Sequence, residues 1–154
     1  MKTFTVLALA FAVAVPTIRA QQMKPEDQIK LRQSAYTLMN YNFASLANMA
    51  QEKKPYSKEE AIRNADFVAM LAVVPKGFFG EGTDYGHTRA KAEIWKSRPD
   101  FDSKMDKMAA EAGKLPQVAR SGDFAALKKQ IGDTGAACKA CHDDFRNKEF
   151  PVSK

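Results

Sequence analysis

Two cysteines and a histidine form the cluster of this sequence whose spacing points most directly to chemistry. Cys138 and Cys141 are the only cysteines of the chain, and His142 directly follows the second. Two thiols about one helical turn apart can each add to a vinyl group of a haem, while the adjacent imidazole binds the iron from the same side. The pattern predicts one covalently attached haem c per chain, with His142 as the axial iron ligand.

Two other chemistries use cysteines at this spacing, but each lacks something that it requires. A dithiol redox site of the thioredoxin kind needs a strand-helix-strand context, and the sequence has no strand-like alternation of apolar residues. A zinc half-site needs a second pair of ligands. His87 is the only other histidine, and we expect it on the surface of a loop. These observations favour haem attachment.

The N-terminus has the pattern of an export signal. Lys2 precedes an apolar run over residues 4–15 that is too short to cross a bilayer, and Ala20 is the best small residue for a cleavage site. We therefore expect removal of residues 1–20. Residues 21–154 would then form one periplasmic domain.

Composition excludes several other classes of protein. The chain has 154 residues, of which 45% are apolar and 27% are charged, so it can build one sizeable core. Its formal net charge is +6, but no basic run exceeds two residues and acidic residues are interleaved throughout. This pattern does not favour a nucleic-acid partner. No apolar run reaches the roughly 18 residues that a membrane span needs.

Apolar residues recur at helical spacing in the N-terminal half of the domain. A first helix is expected over about residues 25–52, because Pro25 and the two acidic residues after it suit a helix start. A second helix is expected to about residue 74, with Ser57 and Glu60 forming a capping box at its start.

The middle of the chain is expected to be an ordered loop followed by a third helix. Residues 75–90 are rich in glycine and carry aromatic residues that can pack on one another, and a short turn follows around residues 92–95. The third helix follows Pro99. Gly113 and Pro116 leave its end open, either near residue 114 or, after a kink, near residue 120.

The fourth helix carries the cysteine motif. Asp123 is a candidate N-cap, and apolar positions then recur at spacings of three and four as far as Phe145. Cys138 and Cys141 fall on this core-facing stripe, which would bury a haem between the fourth helix and the helix that faces it. The expected fold is therefore all-α, an antiparallel four-helix bundle with covalently bound haem c.

This arrangement resembles the cytochrome c′ family, the class II c-type cytochromes, whose haem motif lies near the C-terminus of a four-helix bundle. The resemblance extends over essentially the whole chain after the export signal. The segments that carry it are residues 24–27, 32–39, 79–83, 93–95 and 135–142, with Arg146 four residues after His142.

The resemblance implies a homodimer whose haem iron is five-coordinate and high-spin, with an apolar pocket on the face opposite His142. Such proteins bind nitric oxide and carbon monoxide, discriminate against dioxygen, and are also credited with electron transfer, so no enzyme activity is expected. By position, Arg32 matches an arginine that approaches a haem propionate. Arg146 matches the basic residue beside the axial ligand. Both could instead be solvated charges on helix surfaces.

The resemblance places Tyr36 opposite the open side of the iron, where several relatives carry leucine or methionine. A phenol can cover the haem with apolar area and can also donate a hydrogen bond. Met39 and Phe43 lie one and two turns further along the same stripe and would complete the distal pocket, although core packing explains them as well.

Two alternative functions follow from the same site. A low-spin, six-coordinate electron carrier would use a methionine of the first helix as sixth ligand, and Met39 is the only close candidate, one turn from the position where that ligand is expected. A peroxidase-type enzyme would need a distal histidine beside an arginine, and the chain shows no such pair.

A patch for the expected homodimer lies off the haem-facing stripe. Tyr41 and Met49 on the first helix, with Phe67 or Met70 on the second, would form an apolar, self-complementary surface. Scattered surface residues are the alternative interpretation.

Overall fold

The computed structural model describes residues 23–150, so the expected export signal lies outside the described residues. Five α-helices follow one another in this range. They are α1 (Pro25–Ala50), α2 (Lys58–Ala72), α3 (Glu93–Lys96), α4 (Arg98–Ser121) and α5 (Phe124–Phe145). The four long helices form a bundle, and α3 is a single turn at the expected position. The all-α, four-helix-bundle prediction is confirmed, and the cysteine motif lies on α5, the fourth long helix.

The start of α2 is capped as expected, but only in part. Ser57 Oγ accepts a hydrogen bond from the backbone N–H of Glu60 at 3.3 Å. The reciprocal half of the capping box does not form, because the carboxylate of Glu60 pairs with Lys54 and accepts a hydrogen bond from Ser45 at 2.9 Å. Glu60 thereby links α2 back to α1, since Ser45 lies on α1.

The sequence left open where the third long helix, α4, ends. This helix passes through Pro116 and ends only at Ser121. Gly122 terminates it in the left-handed conformation, with φ of 79°, which glycine adopts without steric cost. Asp123 then starts α5, with its carboxylate accepting from the N–H of Ala126 at 3.0 Å.

The bundle is packed unevenly around its core. Helix α2 packs closely against α1 and α4, and α4 packs closely against α5, whereas α1 and α5 approach each other at far fewer positions. The side of the bundle between α1 and α5 is therefore the most loosely packed, and it is the side to which the cysteine motif belongs. Within residues 23–150, none of the helices is both long and apolar enough to cross a membrane.

One residue of the expected dimer patch is misplaced in the sequence-based prediction. Met49 is only 1% exposed and belongs to the core, because it lies three residues after Leu46 on the buried stripe of α1. The prediction that Met49 lies on an outer face is wrong. Tyr41, Phe67 and Met70 are exposed, as expected.

Candidate functional site

The two cysteines lie on the inner side of α5. Both are half-buried, neither forms a disulfide, and both pack against the hydrophobic core. Burial raises the pKa of Cys138 and raises the pKa of Cys141 to about 11, although the Lys104 ammonium partly offsets the rise at Cys141. Dithiol redox sites depend on thiols with lowered pKa values, so this environment argues against one. Residues 23–150 also hold no cluster of three or more potential histidine, cysteine or carboxylate metal ligands.

His142 lies directly after the thiols and is half-buried beside two cations. Burial lowers the pKa of its imidazole, and Arg146 and Arg89 lower it further. The neutral ring is the form that binds a metal. Arg146 Nη1 lies 3.5 Å from His142 Nε2. Because α5 ends at Phe145, Arg146 reaches the ring from an extended C-cap residue and not from the helical face that its spacing suggests.

Helix α1 supplies an apolar wall to the same side of the bundle. Tyr36, Met39 and Phe43 are half-buried and pack against the core. A Cβ atom on Gly135 of α5 would lie 3.6 Å from Phe43 Cζ, so this part of the α1–α5 contact is an aromatic ring against a glycine. Met39 lies between Tyr36 and Phe43 on α1.

Tyr36 is the residue of this wall that lies beside the thiols. Burial raises the pKa of its phenol above the usual range, and Cys141 acts in the same direction, against a smaller opposite effect of Arg32. The phenol therefore stays protonated. Its hydroxyl donates a hydrogen bond to Met105 Sδ on α4, with the two atoms 3.7 Å apart. Sulfur is a weak acceptor, so this contact orients the ring without holding it strongly.

Arg32 lies at the centre of a polar cluster one turn before Tyr36. It is 2% exposed, so the interpretation of a solvated surface charge is wrong. Nη1 donates to the carbonyl of Phe78 at 3.0 Å and to Thr83 Oγ1 at 2.9 Å. Nη2 donates to the carbonyl of Thr83 at 2.7 Å and to Thr88 Oγ1 at 2.9 Å. The guanidinium also lies 4.4 Å from the centre of the Phe79 ring.

These contacts make Arg32 a clamp between α1 and the 75–90 loop. Burial lowers the pKa of Arg32 to about 10, which leaves the guanidinium charged at neutral pH. The partners are carbonyls and hydroxyls, and they use the four N–H groups on Nη1 and Nη2. The N–H on Nε remains beyond these four, and donation to a haem propionate stays a prediction for Arg32.

Sequence reasoning missed the residues that hold the predicted ones in place. Thr83 and Thr88 are buried in the loop, and their only sequence signal is two small hydroxyl side chains within a glycine-rich segment. Met105 fits the apolar stripe of its helix, so nothing marks it as a partner of Tyr36. His87 lies exposed on the loop, as expected, and its ring stacks on the Phe150 ring with the two centroids 4.0 Å apart.

The last long helix carries two inward-facing thiols and an adjacent imidazole, and the first long helix places an apolar wall beside them. This arrangement defines a four-helix-bundle protein that fits a covalently attached haem. A family model described as Cytochrome C′ matches residues 27–146, and the chain therefore belongs to the cytochrome c′ family. Its cofactor is haem c. The chain is 44% identical over 129 residues to a cytochrome c′ of Rubrivivax gelatinosus, covering 83% of this chain and all of that protein.

Solved structures show the same bundle. The structure of cytochrome c prime from Shewanella frigidimarina has a TM-score of 0.80 and 38% identity, covering 83% of this chain and all of that one. A nitric oxide complex of a mutant of cytochrome c prime from Alcaligenes xylosoxidans has a TM-score of 0.77 and 36% identity, covering 84% of this chain and all of that one.

The clamp at Arg32 generates a prediction about stability. Replacing Arg32 with methionine leaves carbonyl and hydroxyl groups of the loop without a donor, so we expect the free energy of unfolding to fall by about 3 kcal/mol. Thr83→Val removes one acceptor of the same cluster and is expected to cost about 1 to 2 kcal/mol. Denaturant unfolding of the haem-loaded protein measures both values.

Thr37→Val is the matched control, because Thr37 is exposed on α1 and its hydroxyl donates to the carbonyl of Gln33 within the same helix, at 2.9 Å. We expect it to change stability by less than about 0.5 kcal/mol. Equal stability of the Thr83→Val and Thr37→Val proteins would contradict the clamp.

Proposed function

We propose that this protein is an exported, periplasmic haem protein that binds nitric oxide and carbon monoxide at a five-coordinate, high-spin iron. The observation that carries the proposal is the apolar wall of Tyr36, Met39 and Phe43 on the side of the bundle to which the thiols and His142 belong. Bound haem c would supply an iron with one open coordination position. The nitric oxide complex among the similar structures supports this function.

Different residues of the chain would hold the haem and control access to its iron. Cys138 and Cys141 would hold the group, and neutral His142 would provide a nitrogen ligand to the iron, with Arg146 beside the ring. Tyr36 would cover the position that an incoming gas must reach. Its hydroxyl is engaged by Met105, so the ring acts first as an apolar cover. The protein is a binder and not an enzyme, and His87 lies exposed on the loop.

Spectra of the purified protein test this assignment. We expect the ferrous form to show a five-coordinate, high-spin spectrum, and intact mass to equal the chain from Gln21 plus one haem, retained after acid-acetone extraction. A six-coordinate, low-spin spectrum would instead support an electron carrier that uses Met39. A mature chain that begins at Met1 would contradict export.

Tyr36 generates a second prediction, about access to the iron. A gas can reach the site only by displacing a buried aromatic ring, so Tyr36→Ala should raise the association rate for carbon monoxide by roughly tenfold or more. Tyr36→Phe keeps the covering ring and should bind carbon monoxide much like the parent. Stopped-flow mixing of the ferrous protein with carbon monoxide measures these rates.

Tyr85→Ala is the control for this series, since Tyr85 is 53% exposed on the loop and bonds Glu26. Its rate should equal that of the parent. An unchanged rate in Tyr36→Ala would move the covering role to Met39 or Phe43. A Tyr36→Phe protein as fast as Tyr36→Ala would show that the hydroxyl, and not the ring, limits access.

We also propose that the outer face of α1 and α2 forms a two-fold homodimer. The exposed apolar residues of this face are Leu38, Tyr41, Phe67 and Met70, with exposed fractions of 55%, 76%, 43% and 56%. Single apolar residues on a surface are ordinary, but four on two adjacent helices form the kind of patch that a partner covers. A second copy is the occupant that the resemblance implies.

Sedimentation of the haem-loaded protein tests the dimer. In an interface with two-fold symmetry a new charge occurs twice, so Tyr41→Glu should convert a dimer into a monomer. Tyr85→Glu introduces the same charge outside the patch and should leave the sedimentation coefficient unchanged. A parent protein that stays monomeric at high micromolar concentration would contradict the proposal.

A further inference from the structure

The segment after α5 pairs with the segment before α3, next to His142. Residues 89–91 and 145–147 form a short antiparallel ladder centred on an isolated bridge between Ala90 and Arg146. The backbone bonds of this ladder run from Lys91 N to the carbonyl of Phe145 at 3.0 Å and from Asn147 N to the carbonyl of Arg89 at 2.8 Å. The ladder begins where the helix that carries the haem ligand ends.

The side chain of Arg89 fastens this ladder at its outer end. Its Nε donates to the carbonyl of Asn147 at 2.8 Å, and its Nη2 donates to the carbonyl of Lys148. The guanidinium also lies 5.9 Å from the centre of the Phe150 ring. One planar cation thus bonds two successive carbonyls of the C-terminal segment, which the fork geometry of arginine suits and a lysine ammonium does not.

Arg146 is held in position by this ladder and by its own backbone N–H, which donates to the carbonyl of His142 at 3.1 Å. Within residues 23–150 the Arg146 guanidinium makes no ion pair, and its nearest polar partner is the His142 ring at 3.5 Å. Its backbone is extended, with φ of −122° and ψ of 127°, and the paired segment at residues 89–91 holds it there. Fixing the backbone of one residue costs about 1 to 2 kcal/mol of conformational free energy, which the ladder must offset.

We propose that Arg89 is a positioning residue for the axial side of the haem. It holds residues 145–147 in place and so keeps the Arg146 cation beside the imidazole of His142. This inference rests on the haem site proposed above. A fixed positive charge near the iron favours the ferrous state, which carries one positive charge less than the ferric state, and therefore raises the reduction potential. Arg89 also places its own charge near His142, and the double variant below separates this direct effect from the one exerted through Arg146.

Four haem-loaded proteins test the proposal, namely the parent, R89Q, R146A and the double variant. We expect R89Q to speed amide hydrogen exchange at Lys91 and Asn147 by roughly tenfold or more, since it removes two charge-assisted hydrogen bonds that close the ladder. We also expect the reduction potential of R89Q to be clearly lower than that of the parent. In the R146A background, R89Q should lower it much less, because the cation that Arg89 positions is already gone.

Two further variants sharpen the result. R89K keeps the charge but not the fork, so its amide exchange should resemble that of R89Q. R120Q removes an arginine from the last turn of α4, next to the start of α5. His142 lies at the other end of α5, so R120Q should change neither readout. Unchanged exchange in R89Q would overturn the proposal. An equal drop in potential with and without Arg146 would also overturn it, since Arg89 would then act by its own charge.

These outcomes are separate from a failure of the proposed function. A low-spin spectrum in the parent would refute the five-coordinate assignment, yet the exchange rates at Lys91 and Asn147 would still report on the ladder. Conversely, if the protein binds gases as proposed but R89Q has the same reduction potential as the parent, only the role of Arg89 is refuted.

Discussion

Helix α1 must lie close to α5 without packing tightly against it. The thiols and imidazole of α5 are useful only if a flat cofactor fits beside them, and the same space must be closed by apolar side chains from α1. The bundle meets this constraint through its other pairings, because α2 packs closely on α1 and α4, and α4 packs closely on α5. The contact between α1 and α5 is reduced to features such as the Phe43 ring against Gly135.

Helix α1 packs closely against α2 but not against α5, so a second contact must fix its position. Arg32 provides this contact. A buried charge without a carboxylate partner is costly unless every donor finds an acceptor. Here Thr83, Thr88 and the carbonyl of Phe78 supply oxygens to the two terminal nitrogens, and the loop that carries them lies between α2 and α3. The clamp therefore ties α1 to the connection between the two halves of the bundle, and it does so one turn before Tyr36.

The two sides of the candidate haem site differ in polarity. On the side of His142, Arg146 and Arg89 provide positive charge and lower the pKa of the imidazole. On the side of Tyr36, the nearest hydrogen-bond partner of the phenol is the thioether of Met105. An environment that is cationic around His142 and apolar around Tyr36 would suit the small neutral ligands proposed above, because such ligands lose little solvation on entry.

The sequence by itself determined the cofactor chemistry and the helices. Cys138, Cys141 and His142 lie within five residues of the chain, so their spacing alone predicts haem attachment. The long helices follow from the periodicity of apolar residues, and residues such as Asp123 mark their ends. Periodicity could not place Met49 or Arg32, because burial depends on which neighbour a helix face meets. The clamp on Arg32, the partner of Tyr36 and the ladder at Arg89 join residues far apart in sequence. Only tertiary structure decides such contacts, since no local rule relates a side chain to a loop 50 residues away.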